Sequence, residues 1–274
     1  MTLALVTDSA ACLPPALARA HGIDVVALHA LPGQGAQAGT TARPSVEQLA
    51  EAYARALEGA DEVLAVHLAS ALSGTVDNAR LAARGLGEAV TVLDSGACAG
   101  ALGLAVLAAC DAPDARTGAA RARESASRSH LFFLVEDLSH LRRGGRIDRA
   151  TALVGSALGI RPVLESGPEG ISVVETVRGA ARARRHLIAQ AVHAAGGTAL
   201  TGPRPPAAPV RLAVHYGDDP GDGRALENDL AEAMAEAGAV VDSILRSPVD
   251  EAIRVHLGPG ALGVVVAPAL APSR

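Results

Sequence analysis

From Leu3 to Val135 the chain alternates short apolar runs with stretches of helical character, and that alternation limits its fold more than any other feature. The runs Leu3–Val6, Val25–Leu28, Val63–Val66, Val90–Leu93 and Leu131–Val135 have the length of buried strands. Between them the helical signals are specific. Pro14 and Pro15 open a helix where a missing amide costs nothing, and Gly22 ends it. Ser45 with Gln48 three positions on has capping-box spacing, and Val46, Leu49, Tyr53 and Leu57 then form one apolar stripe. Further helices are expected from Val76 to about Arg84, up to about Cys110, and over the arginine-rich residues 115–128, whereas the Gly-rich residues 31–43 read as irregular. Strands alternating with helices predict a parallel α/β sheet.

In such a sheet the loops leaving the C-terminal strand ends share one edge, where ligands gather. Three hydroxyl-rich loops are expected there: Thr7-Asp8-Ser9, Ser70 through Thr75, and Asp94-Ser95. The second has the character of an anion seat. Amides at a helix start lack partners within the helix, Gly74 lets backbone approach a bound group, and the Ser73 and Thr75 hydroxyls can donate. Asp8, Ser9 and Ser95 are candidates on the neighbouring loops. The plainer alternatives are that Ser73 only caps the helix, and that Asp8 and Asp94 orient loop backbone.

Beyond Arg143 the texture changes. Gly144-Gly145-Arg146-Ile147 reads as a helix stop and restart, with a helix over 148–158 ending at Gly159. Ile160–Leu164 and Ile171–Thr176 flank Gly167-Pro168-Glu169-Gly170, a hairpin pattern. A helix over 178–193, a surface loop over 197–209, strands at 210–215, 239–244 and 262–267, and helices at 223–237 and 248–255 follow. The expected architecture is α/β in two domains: a parallel-sheet domain over residues 1–150 and an α+β domain with a mixed sheet over 151–274.

Composition narrows the function. Tyr53, Phe132, Phe133 and Tyr216 are the only aromatic residues among 274, which argues against base stacking on single-stranded nucleic acid. All 24 basic residues are arginine and the net charge is −5, so nothing draws the chain generally to nucleic acid or anionic membrane. Cys12, Cys98 and Cys110 lack metal-type spacing and read as reduced cytoplasmic thiols. The first residues read as a strand and not as a signal peptide, and no apolar run is long enough to cross a membrane.

Taken in order, several motifs carry a resemblance. Val6-Thr7-Asp8-Ser9 with Leu13-Pro14, Thr41-Ala42-Arg43-Pro44-Ser45, Ser70-Ala71-Leu72-Ser73-Gly74-Thr75, Asp94-Ser95, Leu141-Arg142-Arg143-Gly144-Gly145-Arg146-Ile147, Val177-Arg178-Gly179 and His256-Leu257-Gly258-Pro259-Gly260-Ala261 run through nearly the whole length. Together they resemble the DegV family of bacterial fatty-acid-binding proteins, the lipid-presenting subunits of fatty acid kinase. The resemblance implies a protein without catalysis or cofactor of its own. Such a protein buries a long acyl chain between its domains and presents the carboxylate to a kinase catalytic subunit, with at most transient membrane contact. By motif, Thr41 and Ser73 would donate to the carboxylate, and Arg178 and His256 would complete a polar network around the head group. Arg142, Arg143 and Arg146 would meet an acidic kinase surface or the phosphate of an acyl phosphate. A buried carboxylate needs such donors to offset lost hydration, while the tail needs only an apolar slot worth about 0.8 kcal/mol per CH₂.

The chain departs from the family pattern in three places. Ala42 stands where the family usually has Ser, and Arg43 where it has Gln. The segment between His29 and Thr40 is short and lacks a Tyr-x-Asp-Gly element that helps cover the ligand. Two other function classes stay open: a binder of smaller carboxylates, and a serine hydrolase using Ser73. The hydrolase lacks a G-x-S-x-G elbow, and a chain with neither lysine nor a P-loop does not read as a phosphotransferase.

Overall fold

Four of the apolar runs pair as a parallel sheet in the computed structural model, which describes residues 2–31, 39–147, 159–196 and 208–270. They are β1 (Leu3–Asp8), β2 (Ile23–Val26), β5 (Glu62–His67) and β6 (Val90–Asp94), in the order β2-β1-β5-β6. Val63 through Val66 of β5 are wholly buried, as befits a parallel strand covered on both faces. The ends of the Gly-rich segment form strands after all. β3 (His29–Leu31) and β4 (Thr40–Ala42) pair antiparallel as a separate ribbon, while residues 32–38 lie outside the description.

The helices start and stop where the sequence signals them. α1 (Pro15–Ala20) has Pro at its first position and is followed by Gly22 at φ +63°, a left-handed conformation that glycine adopts without strain. α2 (Val46–Leu57) carries the full Ser45–Gln48 capping box and buries Leu49 and Tyr53 against the sheet. α3 (Thr75–Ala83), α4 (Ala99–Ala109) and α5 (Ala115–Ser127) complete this part. α4 is buried almost all round. A Cβ on its Gly103 would stand 2.6 Å from the Ala11 carbonyl oxygen, so glycine permits close packing against the 3₁₀ turn Ser9–Ala11.

The second sheet has six strands in the order β11-β10-β12-β7-β8-β9. Its strands are β7 (His130–Leu134), β8 (Ile160–Gly167), β9 (Gly170–Arg178), β10 (Val210–Tyr216), β11 (Val241–Pro248) and β12 (Leu262–Pro268). Only β10 and β11 run parallel, so the sheet is mixed, and β8–β9 is the expected hairpin. β7 ends the run of alternating strands in sequence yet pairs with β12 and β8 in this sheet. Its helices are α6 (Ser139–Arg143), α7 (Ala180–Ala194) and α8 (Pro220–Glu236), followed in the chain by α9 (Glu251–Leu257). One core cluster joins Leu187, Leu212, Leu226, Leu230 and Val264. The helix expected over 148–158 and most of the loop expected over 197–209 lie outside the described residues.

The chain divides into two units: Met1–Arg128 with Asp250–Val255 and Leu270–Arg274, and Ser129–Val249 with His256–Ala269.

Candidate functional site

The loops at the C-terminal edge of the parallel sheet are tied to one another by buried hydrogen bonds. Asp8 ends β1 and is wholly buried. Its Oδ2 accepts the Leu68 amide at 3.0 Å and faces His67 Nδ1 at 2.9 Å, and its Oδ1 accepts the Ala10 amide at 3.2 Å. His67 ends β5, also wholly buried, and its Nε2 lies 2.7 Å from the Tyr53 hydroxyl. A carboxylate only accepts, so His67 Nδ1 carries a proton and donates to Asp8. Burial, then the nearby Asp8, pushes the Tyr53 pKa up, so the phenol stays protonated.

The third loop joins the same point. Ser95 Oγ donates to the His67 carbonyl at 2.7 Å, and the Ser95 amide donates to it at 3.1 Å. Asp94 Oδ1 accepts the amides of Ser70 and Gly96 at 3.2 and 3.0 Å. Asp8 and Asp94 therefore orient loop backbone. Ser9 Oγ accepts the Leu28 amide at 2.9 Å.

Ser73 does not cap α3. Gly74 holds the N-cap position with no side-chain bond, and Ser73 Oγ instead accepts the Thr75 amide at 3.3 Å and pairs with Thr75 Oγ1 at 2.9 Å. Thr75 is wholly buried and Ser73 partly so. The segment after Thr41 is fastened to the same helix start. Arg43 Nη1 donates to the Gly74 carbonyl at 3.2 Å, and Asn78 Nδ2 donates to the Pro44 carbonyl at 2.8 Å. A Cβ on Gly74 would stand 1.6 Å from Arg43 Nη1, so the guanidinium lies directly on that glycine. Arg43 thus brings a cation onto Gly74, the residue that follows Ser73. The structure thereby gathers Asp8, Ser9, Ser73, Gly74, Thr75 and Ser95 at one edge, with the segment carrying Thr41 tethered to it.

The remaining candidates belong to the other unit. The His256 ring covers Gly144, where a Cβ would stand 2.4 Å from Nδ1, and burial and then Arg146 lower its pKa to about 4. At neutral pH His256 is therefore an uncharged hydrogen-bonding group. Arg146 donates to the Gly144 carbonyl and is partly buried, whereas Arg142 and Arg143 are exposed. Arg178 ends β9 opposite Ile160 and is exposed, and its guanidinium has no hydrogen-bond or ion-pair partner among the described residues. Glu175, a conceivable partner for it, instead faces His186 at 2.7 Å and accepts from Gln190 at 3.1 Å. The described residues contain no group of His, Cys, Asp or Glu that would hold a metal, and no helix long and apolar enough to cross a membrane.

Sequence and structural relatives bear on this arrangement. The family profile described as "Uncharacterised protein, DegV family" matches residues 31–269. A DegV domain-containing protein of Streptomyces coelicolor is 36% identical over 288 residues, covering 96% of this chain and 98% of its own. The chain belongs to the DegV family. A DegV family protein from Thermus thermophilus, described by its fatty acid binding, is 30% identical and superposes with a TM-score of 0.82 over 98% of this chain and 100% of its own. DegV from Bacillus subtilis, described as a fatty acid binding protein, is 25% identical with a TM-score of 0.80 over 98% and 99%.

Proposed function

We propose that this chain is a cytoplasmic fatty-acid-binding protein that holds a long-chain acyl carboxylate and presents it to a kinase catalytic subunit for conversion to acyl phosphate. The observation that carries the reading is the hydroxyl-lined edge at Ser73-Gly74-Thr75, with Arg43 laid on Gly74, in a chain that aligns almost end to end with fatty-acid-binding relatives. Ser73 and Thr41 donate to the carboxylate and Arg43 adds charge, and the motif resemblance assigns head-group roles to Arg178 and His256. Arg142 and Arg143 offer an exposed basic face to the kinase. The hydrolase alternative loses support from the hydrogen bonding. The carboxylate-oriented histidine, His67, is wholly buried and engages Tyr53 and Asp8, so it does not serve Ser73 as a base.

The test is native mass spectrometry of the purified protein with extraction of any bound small molecule, followed by fatty acid titration. One long-chain fatty acid per chain is expected. In the Thr41→Ala/Ser73→Ala double variant each lost charge-assisted hydrogen bond should cost about 1.5–3 kcal/mol of binding with the fold retained. Unchanged affinity would overturn the site, and a wild-type protein that neither carries nor takes up fatty acid would overturn the ligand.

A further inference from the structure

The line Tyr53–His67–Asp8 is fully buried, its two contacts are 2.7 and 2.9 Å, and no part of the proposed ligand chemistry uses it. Filling the same space with apolar side chains would avoid the desolvation cost of three polar groups. What distinguishes this line from an ordinary satisfied core is where its ends lead. Asp8 accepts the amide that begins the Leu68–Thr75 loop and the amide of Ala10. The carbonyl of His67 takes both the hydroxyl and the amide of Ser95. Tyr53 stands on α2, the helix that Ser45 caps directly after the Thr41–Pro44 segment.

We propose that Tyr53, His67 and Asp8 are positioning residues, a buried hydrogen-bonded line that sets the Leu68–Thr75 loop for carboxylate binding; the inference rests on the fatty-acid reading above. Asp8 acts through the two backbone amides it accepts, His67 acts by holding Asp8, and Tyr53 by holding His67; none of the three contacts the carboxylate. The imidazole spans the gap between a helix and a strand-end carboxylate, using both ring nitrogens. An apolar side chain would fill that space and leave the loop amides without their acceptor's support.

The test pairs Tyr53→Phe, which removes one oxygen and keeps the ring, with His67→Gln in case the first variant fails to fold. Amide hydrogen exchange is measured along the whole chain, and fatty acid affinity at a temperature where circular dichroism reports a folded variant. The expected result is exchange at least about tenfold faster confined to Leu68–Thr75 and the Ser95 loop, with affinity weakened by about tenfold, as for one buried group left unpaired. Exchange that rises evenly across β1, β5 and α2, with unchanged affinity, would make the line ordinary core and overturn the proposal. If the wild-type chain takes up no fatty acid, the functional reading falls, and the exchange pattern still decides whether the line positions the loop.

Discussion

Two histidines are buried at strand ends among the described residues, one in each sheet, and they are held by different chemistry. His67 closes β5 between a carboxylate and a phenol, with both ring nitrogens engaged. His215, near the end of β10, has Nδ1 3.3 Å from the Ser247 carbonyl oxygen and 3.2 Å from its hydroxyl. Burial lowers the His215 pKa to about 4, against a smaller opposing pull from the Ser247 carbonyl. His67 therefore sits where three loops meet in one sheet, with its ring on Asp8 and Tyr53 and its carbonyl on Ser95. In the other sheet, His215 is a neutral core group sensitive to acid. The partners decide the role, and the residue type does not.

The sharpest way to break the contrast is Asp8→Ala. It strips the acceptor from His67 and from the amides of Leu68 and Ala10 at once, and should cost about 3–5 kcal/mol in urea unfolding. A loss under about 1 kcal/mol would mean that the buried line contributes no more than surface polar groups do.

Acid tests the other histidine. The folded pKa of His215, about 4, lies below the ordinary 6.5, so the unfolded chain binds more protons between those values. Stability from this group is full above pH 6.5 and is lost as pH falls toward 4, by about 3 kcal/mol in all. His256 adds to the loss in the same direction over the same window. The thermal midpoint, followed from pH 7 to 4.5, should fall, and His215→Gln should flatten that slope.

Glycines extend the comparison to steric effects. Gly258 has φ +76° and lies under the His140 ring, where a Cβ would be 2.7 Å from Cδ2. Gly258→Ala therefore meets both backbone strain and a ring, and should destabilise by about 1–3 kcal/mol in chemical unfolding. Gly74 has φ −75°, and what a Cβ would strike is the end of the exposed Arg43 side chain. Gly74→Ala should move stability by no more than about 0.5 kcal/mol while displacing Arg43, so its effect should appear in carboxylate affinity instead. A large stability loss there would show that Arg43 is fixed and not free to swing aside.

Local grammar was legible because it acts over a few residues. The Ser45–Gln48 box, Pro15 at a helix start, Gly22 at a stop and the β8–β9 turn were all signalled by adjacent side chains. The sheet that β7 joins was not, since an apolar run such as Leu131–Leu134 suits either sheet and its partner β12 lies far along the chain. The β3–β4 ribbon was missed because three-residue strands are too short to display a period. At the candidate site, hydroxyls and motifs located the loops. The bonds from Asp8 to His67 and from His67 to Tyr53 span 59 and 14 residues, beyond any spacing argument. A histidine ending the apolar run Val63–Val66, and a tyrosine inside the α2 stripe, were the available hints. Arg43 could be noticed as a departure from a motif, but only coordinates set it against Gly74.

Cys12 adopts φ +50°, and its sulfur accepts the Asp250 amide at 3.3 Å while burial drives its thiol pKa far upward. A thiol kept protonated and covered is inert to alkylating reagents until its surroundings open. Cys98 and Cys110, which are less buried, would be consumed first. The chain thus carries its own clock: the delay before Cys12 is labelled measures how often the turn after β1 comes apart, without any probe having to be introduced.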